Sequence, residues 1–256
     1  MTKLSIIHCT LFLIHVLAAA FCFAAPPSDT LLIKLQQNSL EGPVLLSAGA
    51  SSTNMPVGVW RATASKKAAP AGTIVWFHGG MTSGNCEKGL VAGSDMAKMF
   101  PRYTVVSPSA CKQNHWVSPA TVQAVDKALD SLASLLERQV DEVSLVGISD
   151  GSLGVIAYSL WGKRKIKKRL LMSSFGASLG PATQVAMQPP MKSGQWRFIQ
   201  GGKDRLYPAE QAFPWIQEFC QAIGASCEIK FDPQGEHDWN YWQNKRQEWF
   251  LDFFSK

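Results

Sequence analysis

The sequence predicts a single-domain α/β fold: a mostly parallel sheet with helices on both faces. Three observations predict it. Short apolar runs rich in β-branched residues alternate along the chain with helix-period stretches. Strands that alternate with helices form βαβ units, whose crossovers cover both faces of the sheet. The length of 256 residues suits one sizeable core, with no internal repeat and no long linker to divide it.

Met55–Ala62 reads as a first strand and Lys66–Gly72 as a turn. Thr73–Phe77 is a short β-rich run that ends in His78-Gly79-Gly80, and Tyr103–Ser107 is another. Residues Val117–Arg138 place Val122, Val125, Leu129, Leu132, Leu135 and Leu136 at helical spacing. Glu142–Ile148 is a third strand of the sharper series, followed by a helix over Ser152–Trp161 and a strand over Arg169–Ser173. Residues 175–194, rich in Gly, Pro and Met, interrupt the alternation as a loop excursion over one end of the sheet. Gln195–Gln200 is a strand, Ala209–Ile223 a helix, Cys227–Phe231 a strand, and Trp239–Phe254 a closing amphipathic helix.

The first 25 residues differ from the rest: Lys3 is their only formal side-chain charge, and an apolar run from Leu4 to Ala25 ends in small residues before Pro26-Pro27. This is the pattern of a secretory signal peptide over residues 1–25, with the folded domain over residues 26–256. Removal after Ala24 or Ala20 fits, and an uncleaved anchor is the rival reading. Secretion or a periplasmic location is therefore expected. Without the leader four of the six cysteines remain. An even number in an oxidising compartment predicts two disulfides among Cys86, Cys111, Cys220 and Cys227. Cys220 with Cys227 is the favoured local pair, and the spacings do not suit a zinc site.

The net charge of +6 is local. Lys163, Arg164, Lys165, Lys167, Lys168 and Arg169 place six cations in seven positions. A solvated helix end and loop is the plain interpretation, and weak attraction to anionic surfaces the sharper one. No interleaved aromatic platform accompanies the run, so nucleic acid is not expected as a partner.

Gly147-Ile148-Ser149-Asp150-Gly151 interrupts an apolar strand and opens a helix. At the carboxyl edge of such a sheet the serine stands exposed, the glycines leave room for the crowded turn, and the helix directs N–H groups at the site. A serine hydroxyl needs a base, and in enzymes built on such an elbow the acid and the histidine follow the serine in the chain. Of the histidines after the leader, His78, His115 and His237, only His237 comes after Ser149. Asp204, in Gly201-Gly202-Lys203-Asp204 directly after a strand, is the acid candidate, with Asp232 in reserve. The main-chain N–H groups of Asp150 and Gly80 are the candidate oxyanion donors, with Met81 as the alternative to Gly80. His78 is expected to hold that loop. Met81, His115, Trp116 and Trp239 are candidate substrate contacts. The chemistry requires no metal and no organic cofactor.

His-Gly-Gly, Gly-Ile-Ser-Asp-Gly, Gly-Gly-Lys-Asp and Gly-Glu-His-Asp-Trp, in this order, resemble the α/β-hydrolase superfamily over roughly residues 55–254. The segment Gly235–Trp242 is similar to the end of esterase D-like and polyhydroxybutyrate depolymerase-like hydrolases, while Asp150 stands where many esterases carry a small or apolar residue. The resemblance implies an α/β-hydrolase fold and a secreted serine esterase. Its substrate is a small-molecule or lipid-like ester, opened through an acyl-enzyme on Ser149. An acyltransferase or a peptidase would use the same groups. A noncatalytic binding protein on this scaffold and an anchored, basic surface protein are the readings from other classes.

Overall fold

The computed structural model describes residues 44–48, 55–63 and 69–255. The expected leader and part of the expected Lys66–Gly72 turn lie outside the described residues.

Among the described residues eight strands form one sheet, in the order β1-β2-β4-β3-β5-β6-β7-β8. They are β1 (Val44–Ala48), β2 (Met55–Trp60), β3 (Gly72–Phe77), β4 (Tyr103–Pro108), β5 (Glu142–Ile148), β6 (Lys165–Met172), β7 (Gln195–Gly201) and β8 (Cys227–Asp232). From β3 onward the neighbours pair in parallel, while β2 runs antiparallel to β4 and β1 antiparallel to β2. The α-helices among the described residues are α1 (Glu87–Met99), α2 (Pro119–Leu136), α3 (Asp150–Trp161), α4 (Ala182–Ala186), α5 (Ala209–Ile223), α6 (Trp239–Lys245) and α7 (Gln247–Ser255).

The central strands are buried on both faces, as parallel strands under crossover helices must be. Their alternation divides the core in two. Val75 and Phe77 of β3 point to the face covered by α2, α3 and α5, where Leu129, Val155 and Phe219 meet Leu145 and Phe198. Ile74 and Trp76 point to the other face, where Met96 of α1 and Phe250 of α7 meet Val105, Val146 and Leu170. Helix α3 is buried nearly all round, from Gly151 to Ser159, so it sits under its neighbours rather than on the surface.

Five elements differ from the sequence-based expectation. Strand β1 and helix α1 appear where no element is expected, and the 175–194 excursion contains α4 between two short 3₁₀ turns. The closing helix is split in two at Arg246, whose N–H caps α6 on the Trp242 carbonyl. Strand β6 starts at Lys165 instead of Arg169. That start divides the basic run: Lys163, Lys165 and Lys167 are exposed, but Lys168 and Arg169 are buried. Lys168 Nζ donates to the Phe253 carbonyl at 2.6 Å. The Arg169 guanidinium donates to Ser159 Oγ and to the Ser193 and Pro190 carbonyls, and lies 4.4 Å over the Trp196 ring.

In sequence the chain passes from β3 outward to β4 on one side, and from β5 outward to β6 on the other. Loops leaving β3 and β5 therefore part in opposite directions and open a crevice at their carboxyl ends, where ligands bind in open α/β sheets.

Candidate active site

Ser149 follows β5 at that crevice with φ 55° and ψ −126°, a conformation that costs a non-glycine residue energy and persists only where its surroundings impose it. The surroundings are specific. Ser149 N–H donates to the Met172 carbonyl at 2.9 Å, and Ser152 Oγ donates toward the Gly147 and Met172 carbonyls. A Cβ at Gly147 would lie 2.3 Å from the Gly151 carbonyl oxygen, and one at Gly151 would lie 2.0 Å from that of Phe77. The elbow is thus pressed against the end of β3, and both glycines are required by space.

The loop after β3 is fixed by its histidine. His78 is buried, and its Nε2 accepts the Ala110 N–H at 3.0 Å. Its Nδ1 faces the Gly79 carbonyl at 2.9 Å, so the proton sits on Nδ1. The indole of Trp116 donates to the His78 carbonyl at 3.1 Å. Gly80 (φ 68°) and Thr82 (φ 61°) both have positive φ. The disulfide Cys86–Cys111 joins the end of this loop to the segment after β4, where Thr82 N–H also bonds the Ala110 carbonyl and Lys112 N–H the Ser83 carbonyl. The second disulfide is Cys220–Cys227, between the end of α5 and the start of β8.

Asp204 and His237 arrive on two loops that touch. Gly202 N–H donates to the carbonyl of Asp232, the last residue of β8, and Lys203 N–H to that of Gly235 in the loop after it. His237 Nδ1 lies 2.9 Å and 2.8 Å from the two Asp204 carboxylate oxygens. The carboxylate also accepts N–H bonds from Leu206 at 3.0 Å and Tyr207 at 2.8 Å, and a longer one from Gln200 Nε2 at 3.4 Å. Burial alone would raise the Asp204 carboxyl. The hydrogen bonds from His237 and Tyr207, and the His237 charge, more than offset it and hold the group below the usual carboxylate range. With Nδ1 committed to Asp204, Nε2 remains the acceptor of the imidazole.

Ser149 and His237 line one cavity of about 520 Å³, together with Gly79, Gly80, Ile148, Asp150, Leu206, Tyr207, Asp238 and Trp239. Trp239 serves two ends: its ring packs 4.8 Å from Trp76 and its indole donates to Asp95 Oδ2 at 3.2 Å, and it still forms cavity wall. Three expected contacts stand apart from the cavity. Trp116 is buried edge-on against Phe77, 5.0 Å away, supporting the loop from beneath. His115 is exposed and accepts the Val117 N–H. Met81 packs on the core, and its N–H donates to Asp150 Oδ2 at 3.3 Å. Asp232, the reserve acid, is occupied by the Tyr241 hydroxyl at 2.6 Å and Arg246 at 2.9 Å.

Tyr207, Gln200 and Leu206 are site residues that sequence reasoning missed. Tyr207 lies edge-on to His237 with ring centroids 5.0 Å apart, and stacks on Phe175 at 5.7 Å. Its only signal in the sequence is its position three residues after the acid candidate. Among the described residues no group of three or more His, Cys, Asp or Glu is arranged to hold a metal ion.

No protein-family model matches the sequence, and no curated protein matches it in sequence. Solved structures do match in fold. An esterase from Pyrococcus furiosus superposes with a TM-score of 0.60 at 13% identity, covering 88% of this chain and 96% of the other. A thermostable esterase gives 0.55 at 14% identity, covering 85% of this chain and 61% of the other. An acylaminoacyl peptidase from Pyrococcus horikoshii gives 0.61 at 13% identity, covering 84% of this chain but 41% of its own length. The chain thus spans less than two thirds of the last two. With the strand order above, these likenesses identify the fold as the α/β-hydrolase fold.

Proposed function

We propose that this chain is an exported serine hydrolase that cleaves a carboxylic ester through an acyl-enzyme on Ser149. One observation carries the reading: a serine on a strained elbow shares a cavity with a histidine whose Nδ1 is held by a buried carboxylate. The fold comparisons support hydrolase chemistry at the level of the scaffold. The two disulfides support export to an oxidising compartment by the leader over residues 1–25.

Each residue has a role in this mechanism. His237 Nε2 takes the proton from Ser149 Oγ as the oxygen attacks the ester carbonyl carbon. Asp204 fixes the tautomer and stabilises the imidazolium that forms. The carbonyl oxygen gains charge and is met by the N–H groups of Asp150 and Gly80. Gly80 is preferred over Met81 because the Met81 N–H already donates to the Asp150 carboxylate. The tetrahedral intermediate collapses, the alcohol leaves with the proton from His237, and an acyl-serine remains. Water, deprotonated by the same imidazole, attacks it and releases the acid. The positively polarised start of α3 lies at the elbow and favours the negative charge.

The test is a fluorophosphonate label followed by peptide mapping, beside hydrolysis of p-nitrophenyl acetate. The expected result is a single labelled serine, Ser149, and loss of hydrolysis in Ser149→Ala with the fold intact. An unlabelled protein, or full activity in purified Ser149→Ala, overturns the proposal. N-terminal sequencing of the exported chain tests the leader: an intact Met1 overturns its removal.

A further inference from the structure

The Asp150 side chain occupies a place in the site that the reaction above does not use. Its carboxylate is shared between two loops: Oδ2 accepts the Met81 N–H at 3.3 Å, and Oδ1 accepts the Tyr207 hydroxyl at 3.3 Å. Asp150 belongs to the elbow, Met81 to the loop after β3, and Tyr207 to the loop that carries Asp204. Three segments distant in sequence are therefore tied at one carboxylate.

We propose that Asp150 and Tyr207 form a polar clamp that positions both oxyanion donors beside the nucleophile; this rests on the hydrolase reading of Ser149. One residue then sets both donors. The Asp150 N–H is the first, and the Asp150 carboxylate, through Met81 N–H, anchors the loop that presents the second, Gly80.

That loop needs anchoring, because Gly80 before Met81 has no side chain to restrict it, and Thr82 after it is a non-glycine residue at positive φ. A conformation of this kind relaxes unless its partners hold it, and a bond from N–H to an ionised carboxylate is stronger than one between neutral groups. Tyr207 completes the clamp from the other side. Its ring is wedged between Phe175 and His237, which aims the hydroxyl at Asp150. Burial first, and then the Asp150 charge, raise the Tyr207 hydroxyl above the ordinary phenol range, so it stays protonated and donates; a hydrogen bond with Ser149 acts in the opposite sense.

The test compares the full chain with Tyr207→Phe, Asp150→Ala and the double variant. Tyr207→Phe keeps the ring and its packing, so it removes the hydroxyl alone. Turnover of p-nitrophenyl acetate and inhibition by phenylboronic acid, which forms a tetrahedral anion on an active serine, are measured together. A lost clamp misplaces the donors, so kcat is expected to fall roughly tenfold to a hundredfold in each single variant. The boronate affinity is expected to fall in step, while KM changes by less than about twofold because only the transition state uses the donors. The double variant is expected to be no worse than the more damaged single one, since both break the same tie. A structural role alone would lower the melting temperature without parting kcat from KM. If the parent hydrolyses the ester and Tyr207→Phe keeps its kcat and boronate affinity, the clamp is overturned and the hydrolase reading stands. Strictly additive losses in the double variant overturn the clamp as well. A parent that neither turns over the ester nor binds the boronate overturns both.

Discussion

Asp204 has four hydrogen-bond donors around a buried carboxylate, and only one of them is His237. The acid is therefore fixed before the imidazole arrives, and the imidazole is oriented by a group that cannot turn. Asp204→Asn keeps the shape but no longer stabilises a protonated His237, and it favours the tautomer with its proton on the wrong nitrogen. In the proposed reaction this is expected to lower kcat on the order of 10⁴-fold with little change in KM. Steady-state kinetics on p-nitrophenyl acetate check it, and a loss of less than about tenfold would remove Asp204 from the mechanism. At this scale the sequence singles out Ser149, Asp204 and His237 because each sits in a short motif past the end of a strand, and the structure joins Asp204 to His237 and places Ser149 and His237 on one cavity. The sequence is silent on Tyr207. Nothing local tells that a tyrosine will lean over a histidine 30 positions later, since that contact depends on how two loops fold against each other.

At the scale of elements, the two disulfides do different work. Cys86–Cys111 closes 25 residues and ties the loop after β3 to the segment after β4. Cys220–Cys227 closes 7 residues between α5 and β8, away from the cavity. Restricting the unfolded chain is worth about 3 kcal/mol for the longer closure and about 2 kcal/mol for the shorter. Activity should separate them more sharply than stability. Cys86→Ser with Cys111→Ser is expected to lower turnover of p-nitrophenyl acetate at temperatures where the protein is still folded, whereas the Cys220→Ser/Cys227→Ser pair should leave it near the parent value. Equal losses in both would dissociate the first bridge from the loop it closes. Elements were legible where the alternation is plain, as in β3, β4, β5 and β7. Helix α1 was not, because Gly89 and Gly93 dilute its apolar pattern. Those glycines are required by packing: a Cβ there would meet Ser109 Oγ at 2.4 Å and the Trp60 ring at 2.3 Å. The start of β6 was masked by its own cations, whose partners, Phe253 on α7 and Trp196 on β7, lie far along the chain.

At the scale of the molecule, three carboxyl groups among the described residues are held below their ordinary range. Asp204 is one. Glu228 is the second: burial raises it, but bonds from Lys230 and Arg197 and their charges lower it further. Asp232 is the third, where burial is offset by the Tyr241 hydroxyl, the Gln234 N–H and Arg246. A carboxyl whose folded pKa is depressed stabilises the fold above its unfolded value and loses that contribution as the pH falls through the folded one. Unfolded values lie near 4. Stability in urea is therefore expected to be nearly level from about pH 7 to 5 and to fall steeply below about pH 4. A midpoint that stays flat down to pH 3 would show that these bonds contribute little.

The pairing of β7 with β8 has one more consequence. Gly201 stands opposite Asp232, and a Cβ on it would strike the Gly235 carbonyl oxygen at 2.3 Å. The turns bearing the acid and the base are thus a single interlocked piece, and neither has slack of its own. New sequence is better tolerated at Met187 and Gln188, which are exposed and line no part of the cavity. A single residue inserted between Gly201 and Asp204 would drive the charge partners apart, so remodelling of this protein has an open side and a closed one.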